Sequence, residues 1–198
     1  MKLVLASKSP RRSELLAQLG YEFECIAADI DESVLAGESP GDYVARLSRE
    51  KAAAIADTMP KTIADNSLVL GSDTAVVVDN EILGKPIDFA DCQRMLSMLS
   101  GRSHQVITGV AVAHGQEVRS ELVVTEVSFK PLSEQEIACY WQTGEPQDKA
   151  GAYGIQGIGG QFVTGIRGSY SAVVGLPLYE TAQILLACGM PTQVQESE

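Results

Sequence analysis

Strand signals and helix signals alternate along this chain from its first residues, and that alternation narrows the choice of fold more than any other feature. Residues 3–5 are an apolar run, and Ser9 then offers a cap for a helix that opens on Pro10 and stops at Gly20. Residues 23–28 predict a second strand that empties into an acidic loop holding Asp29, Asp31 and Glu32, bounded by turn signals at 37–41. Ser39 and Pro40 repeat the cap signature, opening a helix with Tyr43, Val44, Leu47 and Ala54 on one stripe and Lys51 to its side. That helix fades near Pro60.

Residues 68–70 form a short apolar strand that halts at Gly71, Ser72 and Asp73, after which 74–78 and 82–83 flank an Asp79–Asn80 turn as a hairpin. Phe89, Cys92, Leu96 and Leu99 recur at helical spacing up to Gly101. Two long strands follow, 105–113 and a return through Val123, Thr125, Val127 and Phe129. Ser133 and Glu136 make a capping box for a helix ending at Gly144. Nine of the 18 glycines fall between Gly144 and Gly175, so this stretch is built from turns and close backbone approaches, interrupted by strand-like residues at 162–166 and 172–174. Pro177 opens a last helix reaching Cys188, and 191–198 read as a frayed tail. The pattern predicts a mixed-sheet α/β protein, and its 198 residues allow one large domain or two small lobes sharing a cleft.

Composition removes several function classes. A formal charge of −11 opposes non-specific binding to nucleic acid or to an anionic membrane. Cys25, Cys92, Cys139 and Cys188 show no paired spacing and sit among apolar neighbours, which predicts buried, reduced thiols and a cytoplasmic protein. No P-loop and no Glu-x-x-His zinc pattern occurs, Gly157, Gly159 and Gly160 do not make a dinucleotide fingerprint, and Ser169 and Ser171 lack a nucleophile elbow.

Against the acidic whole, the first thirteen residues hold Lys2, Lys8, Arg11 and Arg12 and no acid. Two arginines in a first helical turn oppose the positive end of the macrodipole, a conflict that a bound anion removes. With Ser7, Ser9 and free helix N–H groups they describe a phosphate cradle; two arginines aimed at solvent or at Glu14 explain the same residues equally well. Asp73, past an apolar strand, is either a ligand-facing carboxylate or a turn former. Glu32, with Asp29 and Asp31, offers hard oxygen donors for Mg²⁺ or simply a solvated loop. Lys51 and Lys85 taken singly decide nothing.

Taken together, Ala6-Ser7-Lys8-Ser9-Pro10-Arg11-Arg12, Glu50-Lys51-Ala52, Gly71-Ser72-Asp73-Thr74 and Gly84-Lys85-Pro86 resemble the signature blocks of the Maf nucleotide pyrophosphatases in order and spacing. The resemblance continues through Ser100-Gly101, the run from Asp148 to Gly157, and Val174-Gly175-Leu176-Pro177-Leu178. It implies one catalytic domain over 1–198 with an inosine-triphosphatase-like fold, an elongated mixed sheet flanked by helices with two lobes around a central cleft. It implies a cytoplasmic, homodimeric enzyme dependent on Mg²⁺ or Mn²⁺ that cleaves nucleoside triphosphates to monophosphate and pyrophosphate. By the same resemblance Asp73 is the general base, Glu32 and Asp73 hold the metal, and Ser7, Arg12, Lys51 and Lys85 grip the triphosphate. Arg11, Thr74 and Gln156 are similar to the branch acting on dTTP, UTP and modified uridine triphosphates, and an amide such as Gln156 suits the imide edge of such a base. The family's link to inhibited septum formation implies the other possibility, a nucleotide-binding regulator of cell division without significant hydrolysis.

Overall fold

The computed structural model describes residues 1–192 and Val194; the rest of the tail expected at 191–198 lies outside the described residues. Its elements follow the chain as β1 (Lys2–Leu5), α1 (Pro10–Gln18), β2 (Phe23–Cys25), α2 (Pro40–Thr58), α3 (Lys61–Ala64), β3 (Ser67–Val78), β4 (Glu81–Leu83), α4 (Phe89–Leu99), β5 (Ser103–His114), β6 (Glu117–Phe129), α5 (Glu134–Gln142), β7 (Val163–Arg167), α6 (Tyr170–Val174) and α7 (Leu178–Ala187). Three short 3₁₀ turns, Glu145–Asp148, Ala150–Ala152 and Ile158–Phe162, occupy the glycine-rich stretch. The strands form one seven-stranded sheet in the order β2-β1-β3-β5-β6-β7, with β4 paired to β3 off that path. It is mixed, as expected: β1 runs parallel to β2 and β3, whereas β4 and β7 are antiparallel to their partners.

Contacts divide the chain into two units, and the divisions fall inside β3, β5 and β6 and at the end of α6. The first comprises Met1–Asp73, Thr108–Val123 and the chain from Gly175 onward. Its core packs Val4, Val69, Ala111 and Ala113 of the sheet, with Ala6 just after β1, against Ala52 and Ile55 of α2. The helix comes unusually close to the strands because two glycines let it. A Cβ on Gly71 would overlap the Ser48 carbonyl and lie 2.7 Å from the Ala52 nitrogen, and one on Gly109 would lie 2.9 Å from Ser48 Oγ.

This close approach corrects two expectations. The run 68–70 does not halt at Gly71; β3 continues unbroken through Gly71, Ser72 and Asp73 to Val78, buried at all but one position. The glycine serves helix packing, not a turn. Lys51 does not stand beside the apolar stripe of α2 but on it, buried with Val44, Leu47, Ser48, Ala52 and Ile55, while Tyr43 and Ala54 are only half-buried.

The second unit comprises Thr74–Ile107 and Val124–Val174. Its core joins Val76, Val78 and Leu83 to Cys92, Met95, Leu96 and Leu99 of α4, and to Val127, Phe129, Ile137, Tyr140, Tyr153 and Phe162. Asp79 and Asn80 adopt left-handed φ values of 49° and 64°, making the anticipated β3–β4 turn. The capping box of α5 forms as its sequence specifies. Four local readings are corrected. Strand β2 ends at Cys25, α3 is an unforeseen short helix, residues 172–174 are helical within α6, and the cysteines are free but only Cys92 is fully buried. The strand-like appearance of 172–174 came from β-branched residues that here pack as one helical turn after Gly168, whose φ is 131°.

Candidate active site

Ser9 stands at the N-cap of α1, yet its side chain makes no cap bond. Ser7, outside the helix, holds the cap residue instead: its Oγ accepts from the Ser9 amide at 3.1 Å and from Arg12 Nη1 at 3.4 Å. Arg12 also donates through Nε to the Gly175 carbonyl at 2.9 Å. The guanidinium is therefore pinned at two points, and the solvent-pointing alternative fails for this residue. Burial lowers its pKa, opposed by the charges of Asp73 and then Glu32, so these carboxylates share its electrostatic surroundings. Arg11 is half-buried in the same first turn.

The centre of the group is a buried ion pair. Lys51 Nζ lies 2.7 Å from Asp73 Oδ1 and 2.7 Å from Glu32 Oε1. Lys51 and Asp73 are each 7% exposed, whereas the Glu32 side chain is 56% exposed. Burial raises the Asp73 pKa more than Lys51 and Arg12 lower it, and Glu32 adds to the rise. Next to it, Ser72 Oγ shares its one proton between the Gly109 carbonyl at 2.8 Å and the Gly175 carbonyl at 3.0 Å. A polar Gly-Ser-Asp run thus survives inside a buried strand because each side chain has a partner.

The acidic loop reaches this centre because α2 holds it. Tyr43 donates its hydroxyl to the Glu32 carbonyl at 3.1 Å. Arg46 donates to both Glu38 oxygens at 2.6 and 2.8 Å, to Ser33 O at 3.0 Å and to Glu50 at 3.1 Å. Such a bidentate fork fixes geometry as well as charge; the Arg46 bond holds the Glu38 pKa down to about 2. Burial, then Asp73 and Glu32, push the Tyr43 phenol up to about 12, so it stays a donor at neutral pH. Asp31 spends an oxygen on the Ser33 amide at 2.9 Å and Asp29 is exposed, which leaves Glu32 as the loop acid that meets Lys51.

Among the described residues no three His, Cys, Asp or Glu side chains cluster as a ready-made metal site. The donor set nonetheless fits a hard divalent ion. Glu32 and Asp73 already converge on one cationic atom, and Mg²⁺ is held by one or two carboxylates plus substrate phosphates rather than by a full protein cage.

The remaining expected residues lie in the second unit. Thr74 is half-buried and follows Asp73 in β3; Lys85 and Gln156 are exposed. The Gly84 carbonyl accepts from the Gly151 amide at 3.0 Å, tying the turn that carries Lys85 to the glycine-rich stretch that carries Gln156. Sequence reasoning missed the bracing roles of Ser72, Gly175, Tyr43 and Arg46. Only Ser72 gave a signal, as a hydroxyl between an apolar run and an acid.

The model of the Maf-like protein family matches residues 2–188. This chain belongs to the Maf-like family. Among its Maf relatives, a protein of Colwellia psychrerythraea named dTTP/UTP pyrophosphatase is 58% identical over 95% of this chain and 89% of its own length. One of Vibrio cholerae with the same name is 61% identical over 93% of this chain and 96% of its own. Among solved structures, the Staphylococcus aureus Ham1 protein covers 65% of this Maf chain and 72% of its own with a TM-score of 0.43 and 14% identity, too distant a likeness to bear on function. No helix among the described residues is long and apolar enough to cross a membrane.

Proposed function

We propose that this chain hydrolyses dTTP and UTP, together with modified pyrimidine triphosphates, to the monophosphate and pyrophosphate. The observation that carries the reading is the buried Lys51–Asp73 pair with Glu32 beside it, in a chain more than half identical to proteins named for that activity. Asp73 accepts the proton of the attacking water, whose oxygen bonds to the α-phosphorus as the bond to the β-phosphate bridge breaks and pyrophosphate leaves. The burial that raises its pKa brings this carboxylate nearer the operating pH of a general base. Lys51 meets the carboxylate through Oδ1, so the second oxygen serves as the proton acceptor.

Ser7, Arg12, Lys51 and Lys85 bind the phosphates, and the positive charge of the three cations offsets charge developing on the phosphoryl oxygens. Mg²⁺ or Mn²⁺ held by Glu32 and Asp73 supplies further charge neutralisation when bound. Arg11, Thr74 and Gln156 select the base in this reading, and the amide of Gln156 offers the donor and acceptor that uracil or thymine needs. The same reading makes the chain a cytoplasmic homodimer without nucleic-acid or membrane partners, in line with its net charge of −11.

The test incubates purified protein with Mg²⁺ or Mn²⁺ and each triphosphate, and identifies the products. UTP and dTTP should give monophosphate and pyrophosphate faster than GTP or ATP. Diphosphate with orthophosphate would overturn the reading, and tight UTP binding without turnover would favour a regulator instead.

A further inference from the structure

One carboxylate of the second unit is spent in a way that phosphate chemistry does not explain. Glu145, in the first 3₁₀ turn after α5, accepts from the Ile158 amide through Oε2 at 2.8 Å. Its Oε1 accepts from the Gly159 amide at 2.9 Å and from the Tyr140 hydroxyl at 2.6 Å. The Tyr140 oxygen in turn accepts from the Gly154 amide at 3.2 Å. Gln156 thus lies between two anchored points, Gly154 before it and Ile158–Gly159 after it, while its own side chain is exposed. The fit is close: a Cβ on Gly159 would lie 2.5 Å from the Tyr140 hydroxyl, and one on Gly157 would overlap the Glu145 carboxylate.

The anchor itself is buried. Tyr140 is 2% exposed and sets its ring edge-on to Phe162 at 5.0 Å and 90°, deep in the unit's core. Burial alone would raise the Glu145 pKa, but the bonds from Tyr140, Gly159 and Ile158 outweigh it and keep the group ionised. A carboxylate is the one side chain of this length that accepts from three donors without offering one back.

We infer that Glu145, acting with Tyr140, is a positioning residue that fixes the segment carrying Gln156 and thereby sets which nucleobase is accepted. The inference rests on the reading that Gln156 meets the base. Replacing Glu145 with Gln turns an NH₂ group toward an N–H donor, so one anchor is lost and Gln156 drifts with the loop. A displacement on the order of 1 Å at a recognition group is enough to cost up to about a hundredfold.

The experiment measures kcat and KM for UTP and for GTP in Glu145→Gln, Tyr140→Phe and Gln156→Ala, with a thermal melt of each. In Glu145→Gln we expect kcat/KM for UTP to fall about ten- to a hundredfold, mainly through KM, while the value for GTP stays within about twofold. A change confined to fold stability would move both substrates together. Should Glu145→Gln not melt cooperatively, Tyr140→Phe removes one hydroxyl, keeps the ring in the core, and reads the same ratio. If Gln156→Ala lowers the UTP preference and neither anchor variant does, the positioning role is wrong. If Gln156→Ala leaves the preference unchanged, the base is read elsewhere and the inference falls with that reading.

Discussion

Asp73 works against the stability of the chain that carries it. Its carboxyl titrates above the ordinary aspartate value chiefly because of burial, in spite of Lys51 and Arg12. In the unfolded chain the group titrates normally, so the folded state binds its proton more tightly. Ionised Asp73 therefore opposes folding at every pH above its folded pKa, and the penalty disappears as pH falls from that value to the unfolded one. Asp73→Asn should raise Tm at neutral pH, with the gap to the parent closing in acid, and should lower kcat by about 10²–10⁴ through loss of the base. Paired melts across pH and UTP turnover check both. A lower Tm at neutral pH would show that the bond to Lys51 outweighs burial. The family resemblance groups Ser7, Arg12, Glu32, Lys51 and Asp73, and the structure brings them together, but no local signal gives the buried setting of Asp73. A buried strand interrupted by Ser and Asp reads as a strand that stops, because such side chains need partners. The partners of Ser72 lie 37 and 103 residues away, and that of Asp73 lies 22 away, distances at which spacing carries no information.

At the scale of elements, the contact of α2 with β3 sets the distance between Lys51 and Asp73. Lys51 sits between Ser48 and Ala52, the two residues a side chain at Gly71 would strike. Gly71→Ala must push helix and strand apart, since the obstructing atoms are backbone. We expect a loss of about 1–3 kcal/mol, the usual cost of overpacking a core, together with a fall in turnover as the ion pair lengthens. Gly84→Ala is the control: its Cβ meets nothing within 4 Å, and its stability should stay within about 0.5 kcal/mol of the parent. Urea unfolding of both variants decides. A glycine that stops a strand and a glycine that admits a helix look alike in sequence, so sequence alone divides the long β3 at Gly71. The helices α1, α2, α4, α5 and α7 were legible because caps and apolar stripes are local signals. In the glycine-rich stretch, Gly154 and the 3₁₀ turn at Ile158–Phe162 are held by Tyr140 and Glu145, contacts that local propensity does not encode.

Over the whole molecule, distant parts of the chain meet at one carbonyl. The oxygen of Gly175 accepts from Arg12 at 2.9 Å and from Ser72 at 3.0 Å, joining residues 163 and 103 positions apart within the first unit. The chain returns to that unit at this glycine, in a conformation with φ of 132° that L side chains rarely adopt. Its backbone thus does two things that one substitution can test. Gly175→Ala should destabilise the protein by about 1–3 kcal/mol through strain at that φ. For a chain of this size each kcal/mol lowers Tm by about 2–4 °C. The carbonyl would also turn away from Arg12, so that the guanidinium loses its 2.9 Å bond to the chain at residue 175 and keeps the one to Ser7. KM for UTP should therefore rise by more than kcat falls, because a binding cation is misplaced while Asp73 keeps its bond to Lys51. A lower Tm with unchanged KM would mean that Arg12 holds its place without the carbonyl, and the long-range brace would then belong to folding alone.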